Sequence, residues 1–479
     1  MREVEIDPIS LDRLASLLSV ERAGRLADFA ALARDLFADP VVWNVSSTAS
    51  GGGVAEMLQT LLAYGRGAGV DTRWLVLDAT PDFFAITKRI HNLLHGSPGD
   101  RGPLGDAERS TYDEVLAANL AELVELVSPG DLVLLHDPQT AGLVPALRRT
   151  GAHVVWRCHV GRDDGNEFTE HAWSFLRPYV TEAEALVFSR RAYVPDWVPE
   201  SACRIIAPSI DPFSAKNTPL SGREVRATLR RAGLVDLPGP SREIAFRRRN
   251  GATGRVRRHE RIYLTDGMVP GDARYVLQVS RWDRLKDMGG VLTAFTGHLD
   301  SMPDDVHLVL AGPEVTGVDD DPEGAQVLEE CLGIWRTLPA RARGRVHLTA
   351  LPMDDVDENA HLVNALQAQA ALVVQKSLVE GFGLTVTEPM WKARPVVASG
   401  VGGIQDQIVD GESGLLVRDP TDLTAFADAC VKVLADPGLG ERLGLAARER
   451  VREQFLGDRQ LIQYVELFGG LLAAADGPR

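Results

Sequence analysis

Short runs of β-branched and aliphatic residues alternate with segments of helical periodicity along the chain, and this alternation restricts the fold more than any other feature. Turn residues bound each run, which is typical of parallel α/β architecture. The first half has runs at 41–45, 73–77, 131–136, 153–159, 185–189 and 204–207, and the second half at 275–280, 307–311, 345–350, 371–375, 395–398 and 414–417. Two sets of six strands predict two doubly wound domains. The length of 479 residues agrees, because a single core stops growing at roughly 250 to 300 residues.

The same alternation predicts the domain bounds. Residues 1–38 precede the first strand and form a helical extension, because an apolar stripe lies on one face of their helical pattern. Residues 39–212 form the first Rossmann-like domain, 213–455 form the second, and a helix covers 456–479. A Pro-containing connector near the junction suits a hinge. The leucines of the N-terminal stripe are Leu11, Leu14, Leu17 and Leu18.

The acidic balance of the chain restricts its partners. Lys and Arg total 51 and Asp and Glu total 67, so the formal net charge is −16. A surface this acidic does not bind nucleic acid or anionic lipid as a whole, and a phosphorylated ligand then requires positive charge that is local. We therefore expect small-molecule ligands, with no nucleic-acid partner and no membrane partner.

The segment 222–261 departs from this acidic average because it is rich in arginine. It is either a patch or lid that binds polyanions or a solvated insertion before the first strand of the second domain. Charge runs usually face water, which favours the solvated insertion. The arginines concerned are Arg247, Arg248, Arg249, Arg255, Arg257 and Arg258.

Cysteine usage and the N-terminal residues predict a cytoplasmic protein. The four cysteines are far apart and show neither a CxxC pair nor zinc-ligand spacing, so we expect reduced, mostly buried thiols. Residues 1–8 are charged and lack the apolar region of a signal peptide, and no apolar run approaches the 18 or so residues of a membrane span. The cysteines are Cys158, Cys203, Cys331 and Cys430.

A glycine-rich loop follows the first strand, with three consecutive glycines ending at Gly53. Glycines remove the side chains that stop a backbone from approaching a ligand, and the N-terminus of the following helix offers unpaired N–H groups to an anion. The loop is therefore a candidate phosphate loop. It matches neither GxGxxG nor GxxxxGK[ST], and a plain tight turn remains the alternative.

Two cations occupy the equivalent place in the second domain, after its first strand. Arg281 offers a planar guanidinium and Lys286 a compact charge. Open α/β sheets bind ligands at the carboxyl ends of their strands. This pair would hold a diphosphate and neutralise a leaving group.

The most specific stretch is 375–391, where a strand ends, a Gly-containing turn exposes Glu380, and a helix beginning near Leu384 carries Glu388. The N–H groups of the turn can meet a phosphate or a sugar hydroxyl, and each carboxylate can accept hydrogen bonds from vicinal hydroxyls. Two carboxylates are also the acid and nucleophile of a glycosidase. Placement on a strand, a turn and a helix argues against that alternative.

The E-x7-E motif of Glu380 and Glu388, with Arg281, Lys286 and the glycine loop, resembles the retaining GT-B glycosyltransferases of family GT4. Further segments are similar to the trehalose synthases of the glycosyltransferring type, and the resemblance runs from about 41 to 455. It implies a GT-B fold, with two Rossmann-like doubly wound domains facing each other across a cleft. The first would be the acceptor-side domain and the second the nucleotide-sugar domain, with helix 456–479 packing back on the first. The segments are WNVSSTASGGGVAEML, LLHDPQTAGL, WRCHVG, FLRPYV, APSIDPFSAKN, QVSRWDRLKD and EGFGLTVTEPMWKARPVVASGVGGIQDQIVDGESGLLVRD.

The resemblance also implies an activity. Glucose would pass from UDP-, ADP- or GDP-glucose to free glucose, forming the α,α-1,1 linkage of trehalose with retention and releasing the nucleoside diphosphate. Neither a metal nor another cofactor would be required, and related enzymes suggest a homodimer. The alternatives are a GT4 transferase with another acceptor, a trehalose phosphorylase, and a sugar-nucleotide sensor without catalytic activity.

Matching residue by residue assigns the donor site. Glu388 would hold the ribose and Glu380 the hydroxyls of the donor sugar, while Arg281 and Lys286 would bind the diphosphate. The backbone around Gly52 and Gly53 would approach the diphosphate from the first domain. The backbone that supports the donor would be that of Gly381, Phe382, Gly383 and Leu384.

The acceptor side is assigned in the same way. His159 matches the family histidine that faces the sugar, with a structural histidine as the alternative, and Asp137, Gln139 and Arg157 would recognise the acceptor. The acidic stretch 355–357 resembles a metal-binding motif, but such loops are mostly solvated turns. The GT-B pattern needs no catalytic metal, so we expect none.

Overall fold

A computed structural model describes residues 1–49, 52–239, 243–315 and 322–475 of the chain. The chain divides into two compact units, Met1–Ile210 with the residues from Phe455 onward, and Asp211–Gln454. Parts of three predicted features lie outside the described residues. These parts are Ser50 and Gly51 of the glycine loop, 240–242 of the Arg-rich segment, and 476–479 of the last helix.

The first unit is built on a seven-stranded sheet within residues 1–49 and 52–210, in the order β1-β3-β2-β4-β5-β6-β7. β1 is antiparallel to its neighbour and the other strands pair in parallel. The strands are β1 (Arg2–Glu3), β2 (Val42–Ser46), β3 (Thr72–Val76), β4 (Leu132–His136), β5 (His153–Cys158), β6 (Ala185–Phe188) and β7 (Cys203–Ile205). The helices are α1 (Leu11–Ala15), α2 (Val20–Leu36), α3 (Gly53–Gly67), α4 (Pro81–Leu94), α5 (Asp106–Leu126), α6 (Val144–Arg149) and α7 (Glu167–Val180).

The second unit is built on a parallel sheet of six strands in its described part, in the order β14-β13-β12-β15-β16-β17. Its strands are β8 (Val235–Asp236), β9 (Ala245–Arg247), β10 (Thr253–Arg255), β11 (Val269–Pro270), β12 (Arg274–Val279), β13 (Val306–Pro313), β14 (Val346–Leu351), β15 (Leu372–Gln375), β16 (Val396–Ser399) and β17 (Leu415–Val417). Its helices are α8 (Gly222–Ala232), α9 (Met288–Gly297), α10 (Pro322–Thr337), α11 (Ala340–Arg343), α12 (Val356–Gln369), α13 (Leu384–Trp391), α14 (Ile404–Gln407), α15 (Leu423–Ala435) and α16 (Pro437–Gln454).

The predicted α/β class with two Rossmann-like, doubly wound domains is confirmed. Each of the twelve predicted runs overlaps a strand of one of the two large sheets. Helices cover both faces of each sheet, so central strands such as β4 and β5 are buried throughout, and this explains their continuous apolar sequences. Sequence patterns did not predict β1, because two exposed residues leave no periodic signal.

The last helix, α17 (Gly457–Ala475), completes the core of the first unit. Phe468 meets the ring of Phe37 edge-on at 6.3 Å, and both belong to an apolar cluster with Leu134 of the sheet. Gln460 is fully buried and accepts a hydrogen bond of 2.6 Å from the Ser209 hydroxyl. Amphipathic packing of this kind stabilises a helix far more than its intrinsic propensity does.

Each large sheet has a point at which the chain changes direction. In the second unit the chain leaves β12 toward β13 and β14, then returns to β15 on the other side of β12. In the first unit β2 lies between β3 and β4 in the same manner. At such switch points the loops that follow the two strands diverge, which leaves a crevice for a ligand at the carboxyl ends.

The Arg-rich segment packs against the acidic stretch at the start of α12. Arg249 Nε lies 2.7 Å from Asp357 Oδ1, and Arg257 Nε lies 2.6 Å from Glu358 Oε2. Arg248 pairs with Asp355, which also caps α12 by accepting a hydrogen bond from the Glu358 N–H. The expectation of a solvated turn at 355–357 is therefore wrong. Opposite charges about 100 positions apart neutralise each other here, and the paired arginines also stay in contact with solvent, with 30% to 46% of their side chains exposed.

The remaining global expectations concern thiols and membranes. The four cysteines are free and buried, and burial raises the pKa of Cys331 to about 12, so these thiols are unreactive at neutral pH. Within the described residues, none of the helices combines the length and the apolar character that crossing a membrane requires.

Glu358→Gln tests the charge pairing at α12. The side chain of Glu358 is fully buried and accepts hydrogen bonds from Arg257 and His259. We expect the free energy of unfolding of the second unit to fall by about 1 to 3 kcal/mol, the worth of hydrogen bonds to a charged group. Urea unfolding measures it. Arg255→Gln is the matched control, because the Arg255–Glu243 pair is exposed on both sides, and it should leave the midpoint unchanged. Equal losses of unfolding free energy in the two variants would contradict a stabilising role for the buried Glu358 pairing.

Candidate active site

The buried amide of Gln278, near the end of β12, joins the two loops at the switch point of the second unit. Its Oε1 accepts a hydrogen bond of 3.0 Å from the Lys376 N–H, and its Nε2 donates to the Lys286 carbonyl at 2.8 Å. The backbone N–H of Leu378 also donates to the Leu285 carbonyl at 2.7 Å. The loop after β12 and the loop after β15 therefore form one rigid assembly.

Lys286 and Glu380 meet on this assembly although they are 94 positions apart in the chain. Lys286 Nζ lies 2.6 Å from Glu380 Oε2, and the Ser377 hydroxyl donates to the same oxygen at 3.1 Å. Glu380 is 7% exposed, while the Lys286 side chain is 18% exposed. A buried carboxylate is thus held beside a cation that still reaches solvent.

Arg281 lies on the same loop as Lys286 and is the more accessible cation. Its side chain is 51% exposed, and its guanidinium lies 3.8 Å from the Asp283 carboxylate. An exposed guanidinium presents a planar fork that suits the oxygens of a phosphate. The loop therefore carries two cations of different geometry at the carboxyl end of β12.

The turn 381–383 leads from Glu380 into α13, and its backbone is fixed. Gly383 caps the helix with φ of 86°, a left-handed conformation that favours glycine. A Cβ added there would lie 3.0 Å from Glu380 Cγ. The Gly403 N–H donates to the Gly381 carbonyl at 3.2 Å, and the Gln407 amide donates to the Phe382 carbonyl. The Val386 N–H donates to the Gly383 carbonyl at 2.9 Å. The first two N–H groups of α13, those of Leu384 and Thr385, point along the helix start and can meet an anion.

Glu388, one of the two predicted carboxylates, sits in a different environment from Glu380. It is 4% exposed, and its oxygens face Lys216 and Gln367. The two carboxylates have separate partners, so each can bind a different part of an extended ligand.

The first unit places His159 in a hydrogen-bonded chain of side chains at the ends of its strands. Arg157 Nε donates to His159 Nδ1 at 3.3 Å, His159 Nε2 lies 3.1 Å from His136 Nδ1, and His136 Nε2 lies 3.1 Å from Asn44 Oδ1. A guanidinium only donates, so the network assigns the proton of each imidazole to Nε2. Burial and Arg157 lower the pKa of His136 to about 3 and that of His159 well below its usual value. Both rings are therefore neutral.

The expectation that Arg157 recognises the acceptor is not supported by its position. Its side chain is fully buried, donates to the Ile206 carbonyl at 2.9 Å and pairs with the Tyr464 hydroxyl of α17. The physical reason is that β5 is a central strand covered on both faces, so its residues point into packed layers. Arg157 positions His159 instead.

Asp137 and Gln139 lie beside His159 on the loop after β4 and remain partly exposed. Asp137 has φ of 65° and accepts a hydrogen bond of 2.7 Å from the His159 N–H. Burial raises the pKa of Asp137 to about 7. Gln139 Oε1 has no hydrogen-bond partner among the described residues. Both side chains can bind the hydroxyls of a sugar.

Gly52 and Gly53 begin α3 at the switch point of the first unit. Gly52 has φ of −175°, an extended conformation open to any residue, and a Cβ added there would meet nothing within 4 Å. Neither backbone conformation nor packing therefore requires glycine at position 52. The following N-terminus of α3, a helix of 15 residues, is suited to an anion.

Comparison with known proteins identifies the family. Residues 44–195 match the family described as trehalose synthase, N-terminal domain, and residues 273–436 match glycosyl transferases group 1. The trehalose synthase of Thermococcus litoralis is 34% identical over 425 residues, which cover 88% of this chain and 89% of that protein. The chain belongs to the trehalose synthase family of GT4-type glycosyltransferases. It is therefore an enzyme, a glycosyltransferase of the trehalose-related kind.

A structural comparison supports the fold, and a sequence comparison adds a more distant relative. A solved α,α-trehalose-phosphate synthase (UDP-forming) from Burkholderia vietnamiensis superposes with a TM-score of 0.65 at 16% identity, covering 92% of this chain and 100% of that chain. The predicted GT-B fold is thereby confirmed. The trehalose phosphorylase of Pleurotus pulmonarius is 25% identical over 439 residues, covering 85% of this chain and 54% of that protein.

Sequence patterns did not predict several residues that line the candidate site. His136, Gln278 and Lys376 stand at the ends of buried strands, so the strand-end rule that found Asp137 also applies to them. Lys216 and Gln367 carry no local signal, because only tertiary packing brings them to Glu388.

His136→Gln tests the neutral histidine pair. The unfolded chain binds a proton at this histidine below about pH 6.5, whereas the folded state does so only near pH 3, since burial lowers the pKa of His136. The histidine therefore costs stability progressively as pH falls from 6.5 toward 3, by about 1.4 kcal/mol per pH unit.

We expect His136→Gln to reduce the pH slope of the unfolding free energy between pH 6 and pH 4.5, measured by urea titrations. His171→Gln, which changes an exposed histidine of the same unit, is the control and should keep the wild-type slope. An unchanged slope in His136→Gln would show that the buried pair titrates normally.

Proposed function

We propose that the enzyme transfers glucose from a nucleoside diphosphate glucose to free glucose, forming trehalose with retention and releasing the nucleoside diphosphate. The observation that carries this proposal is the Lys286–Glu380 pair at the β12–β15 switch point, beside Arg281 and the N-terminus of α13. It supplies positive charge for a diphosphate next to a carboxylate for sugar hydroxyls. The relative of known structure that forms UDP supports the choice of donor.

The donor is held by groups with distinct tasks. Arg281 and Lys286 bind the diphosphate, together with the N–H groups that follow Gly383. The Glu380 carboxylate, turned toward Lys286 and Ser377, accepts hydrogen bonds from the donor sugar. Glu388 accepts hydrogen bonds from the ribose. In the first unit, the N–H groups around Gly52 and Gly53 stay a candidate for binding a phosphate.

The reaction needs positioning and charge stabilisation rather than a protein nucleophile. The bond from the anomeric carbon to the phosphate oxygen breaks, and the acceptor hydroxyl forms the new bond on the same face. The departing phosphate oxygen takes the acceptor proton. Lys286 stabilises the negative charge that develops on the leaving group, and fixed orientation of the reactants supplies much of the remaining rate.

Recognition of the acceptor is assigned to the strand-end groups of the first unit. His159 is neutral with its tautomer set by Arg157, so it offers no charge that would compete with a neutral sugar. Asp137 and Gln139 are the partly exposed polar groups beside it. With two cations on the β12 loop, we propose that the transfer requires no metal and no other cofactor. The homodimer stays a prediction.

Phosphorolysis of trehalose is the second candidate, favoured by the similarity to the trehalose phosphorylase. The same cations would then hold inorganic phosphate instead of a diphosphate. The two candidates differ in the substrate that they require, so one assay separates them.

A panel of UDP-, ADP- and GDP-glucose, with and without free glucose, tests the proposal. We expect release of the nucleoside diphosphate and an α,α-linked disaccharide, identified by mass and by the anomeric signals in NMR. Turnover of trehalose that depends on phosphate, with no use of any nucleotide sugar, would overturn it in favour of the phosphorylase. Donor consumption without a disaccharide would redirect the search to other acceptors.

Lys286→Ala tests the leaving-group role. Removal of a preorganised charge from the transition state costs about 3 kcal/mol, so we expect kcat to fall at least 100-fold. Arg284→Ala is the matched control, because Arg284 lies on the same loop but pairs with Glu330 on the exposed surface, Nη2 to Oε1 2.7 Å. It should change kcat by less than about twofold. Normal turnover in Lys286→Ala would remove this lysine from the diphosphate site.

A further inference from the structure

The carboxylate of Glu388 is held from two sides. Lys216 Nζ lies 3.5 Å from Oε1, and Gln367 Nε2 donates to Oε2 at 3.2 Å. Glu388 is 4% exposed and Gln367 is fully buried. With a separate partner on each oxygen, the carboxylate cannot rotate without losing a contact in a site where lost polar contacts are costly.

Lys392 sets the orientation of the Gln367 amide. Lys392 Nζ lies 2.9 Å from Gln367 Oε1, and it also donates to Asn217 Oδ1 at 3.1 Å and to the Glu388 carbonyl at 3.2 Å. Burial lowers the pKa of Lys392 to about 7. Its three acceptor neighbours use all three protons of an ammonium group, so the protonated form is the one bound here and the amide oxygen faces Lys392. The amide NH2 then faces Glu388. The reversed amide would place two acceptors together and two donors together.

Lys216 is placed by the same helix that carries Gln367. The amide of Asn364 donates to the Ala215 carbonyl at 3.1 Å and to the Thr218 carbonyl at 2.8 Å. These bonds bracket Lys216 and fix the backbone of its short segment. Asn364 and Gln367 are three positions apart on α12, so they lie on one face of the helix. α12 therefore positions both partners of Glu388.

We propose that Lys216, Gln367 and Lys392 position Glu388 so that the site selects a nucleotide with two ribose hydroxyls over a 2′-deoxynucleotide. The inference rests on the proposed function, in which Glu388 binds the ribose. A carboxylate oxygen has about two acceptor positions. Gln367 occupies one position on Oε2, and Lys216 pairs with Oε1 at 3.5 Å. Each oxygen keeps an acceptor position, and the 2′- and 3′-hydroxyls of a ribose match that pair.

A 2′-deoxynucleotide leaves one of these acceptor positions buried without a partner. The loss of a hydrogen bond to a charged group lowers affinity by about 10- to 100-fold. A carboxylate that can rotate would satisfy the remaining hydroxyl equally well and would discriminate less. The selectivity for ribose thus depends on the residues that hold Glu388 as well as on Glu388 itself.

Calorimetric titration of UDP, ADP and GDP and of their 2′-deoxy forms tests the inference on the full-length protein. We expect the wild type to prefer the ribonucleotide at least 10-fold. Gln367→Leu and Lys392→Met should reduce this preference to about threefold or less, while the affinity for the deoxynucleotide stays within about twofold. Gln369→Leu is the matched control, since Gln369 lies on the same helix and is exposed. It should keep the full preference.

Lys216→Met tests the same inference if Gln367→Leu fails to fold. It removes the partner of the other Glu388 oxygen, and because the Lys216 side chain is partly exposed, we expect this variant to fold. A preference that persists in Lys216→Met and Lys392→Met would overturn the inference and leave the proposed function intact. A wild type that binds both nucleotide forms equally would also overturn it. If no nucleotide binds at all, the proposed function fails, and the inference with it.

Discussion

The candidate site of the second unit depends on one buried amide, that of Gln278. Its oxygen and its nitrogen bind the loops that follow β15 and β12, respectively. A buried amide that loses a partner costs about 1 to 3 kcal/mol, so neither loop moves without penalty. A second tie is the ion pair of the fully buried Lys376 side chain with Asp287, the residue that caps α9. Lys286 and Glu380 meet because these contacts hold their loops together.

The charge distribution shows how an acidic protein can bind the anionic substrate proposed for it. The chain carries a net charge of −16, yet Arg281 and Lys286 share one loop, and Lys216 and Lys392 surround Glu388. The first unit has a neutral histidine pair at the ends of its strands, because burial and Arg157 lower the pKa of both imidazoles. Arg281 and Lys286 therefore supply positive charge where phosphate oxygens are expected, and the proposed sugar-binding groups at His159 are uncharged at the imidazole.

The strands and site residues that the sequence predicted all have a signal in the residues immediately around them. Apolar runs marked the strands, and polar residues directly after them marked Asp137, Arg281 and Glu380. The buried partners of Arg157 were not predicted, because a charged residue inside a central strand gives no local sign of them. Lys216 and Gln367 were missed because they lie 172 and 21 positions from Glu388. Contacts at such separations depend on how helices pack against each other, and a short stretch of sequence carries no information about that packing.

The position of α12 gives the Arg-rich segment a consequence for protein engineering. The arginines pack on the acidic first turn of this helix, and Asn364 and Gln367 project from its later turns toward the residues around Glu388. A chimaera that trims the segment alone would leave Asp354, Asp355, Asp357 and Glu358 crowded together without the guanidinium groups that neutralise them. In a chimaera, the Arg-rich segment and the first turn of α12 therefore have to come from the same parent protein.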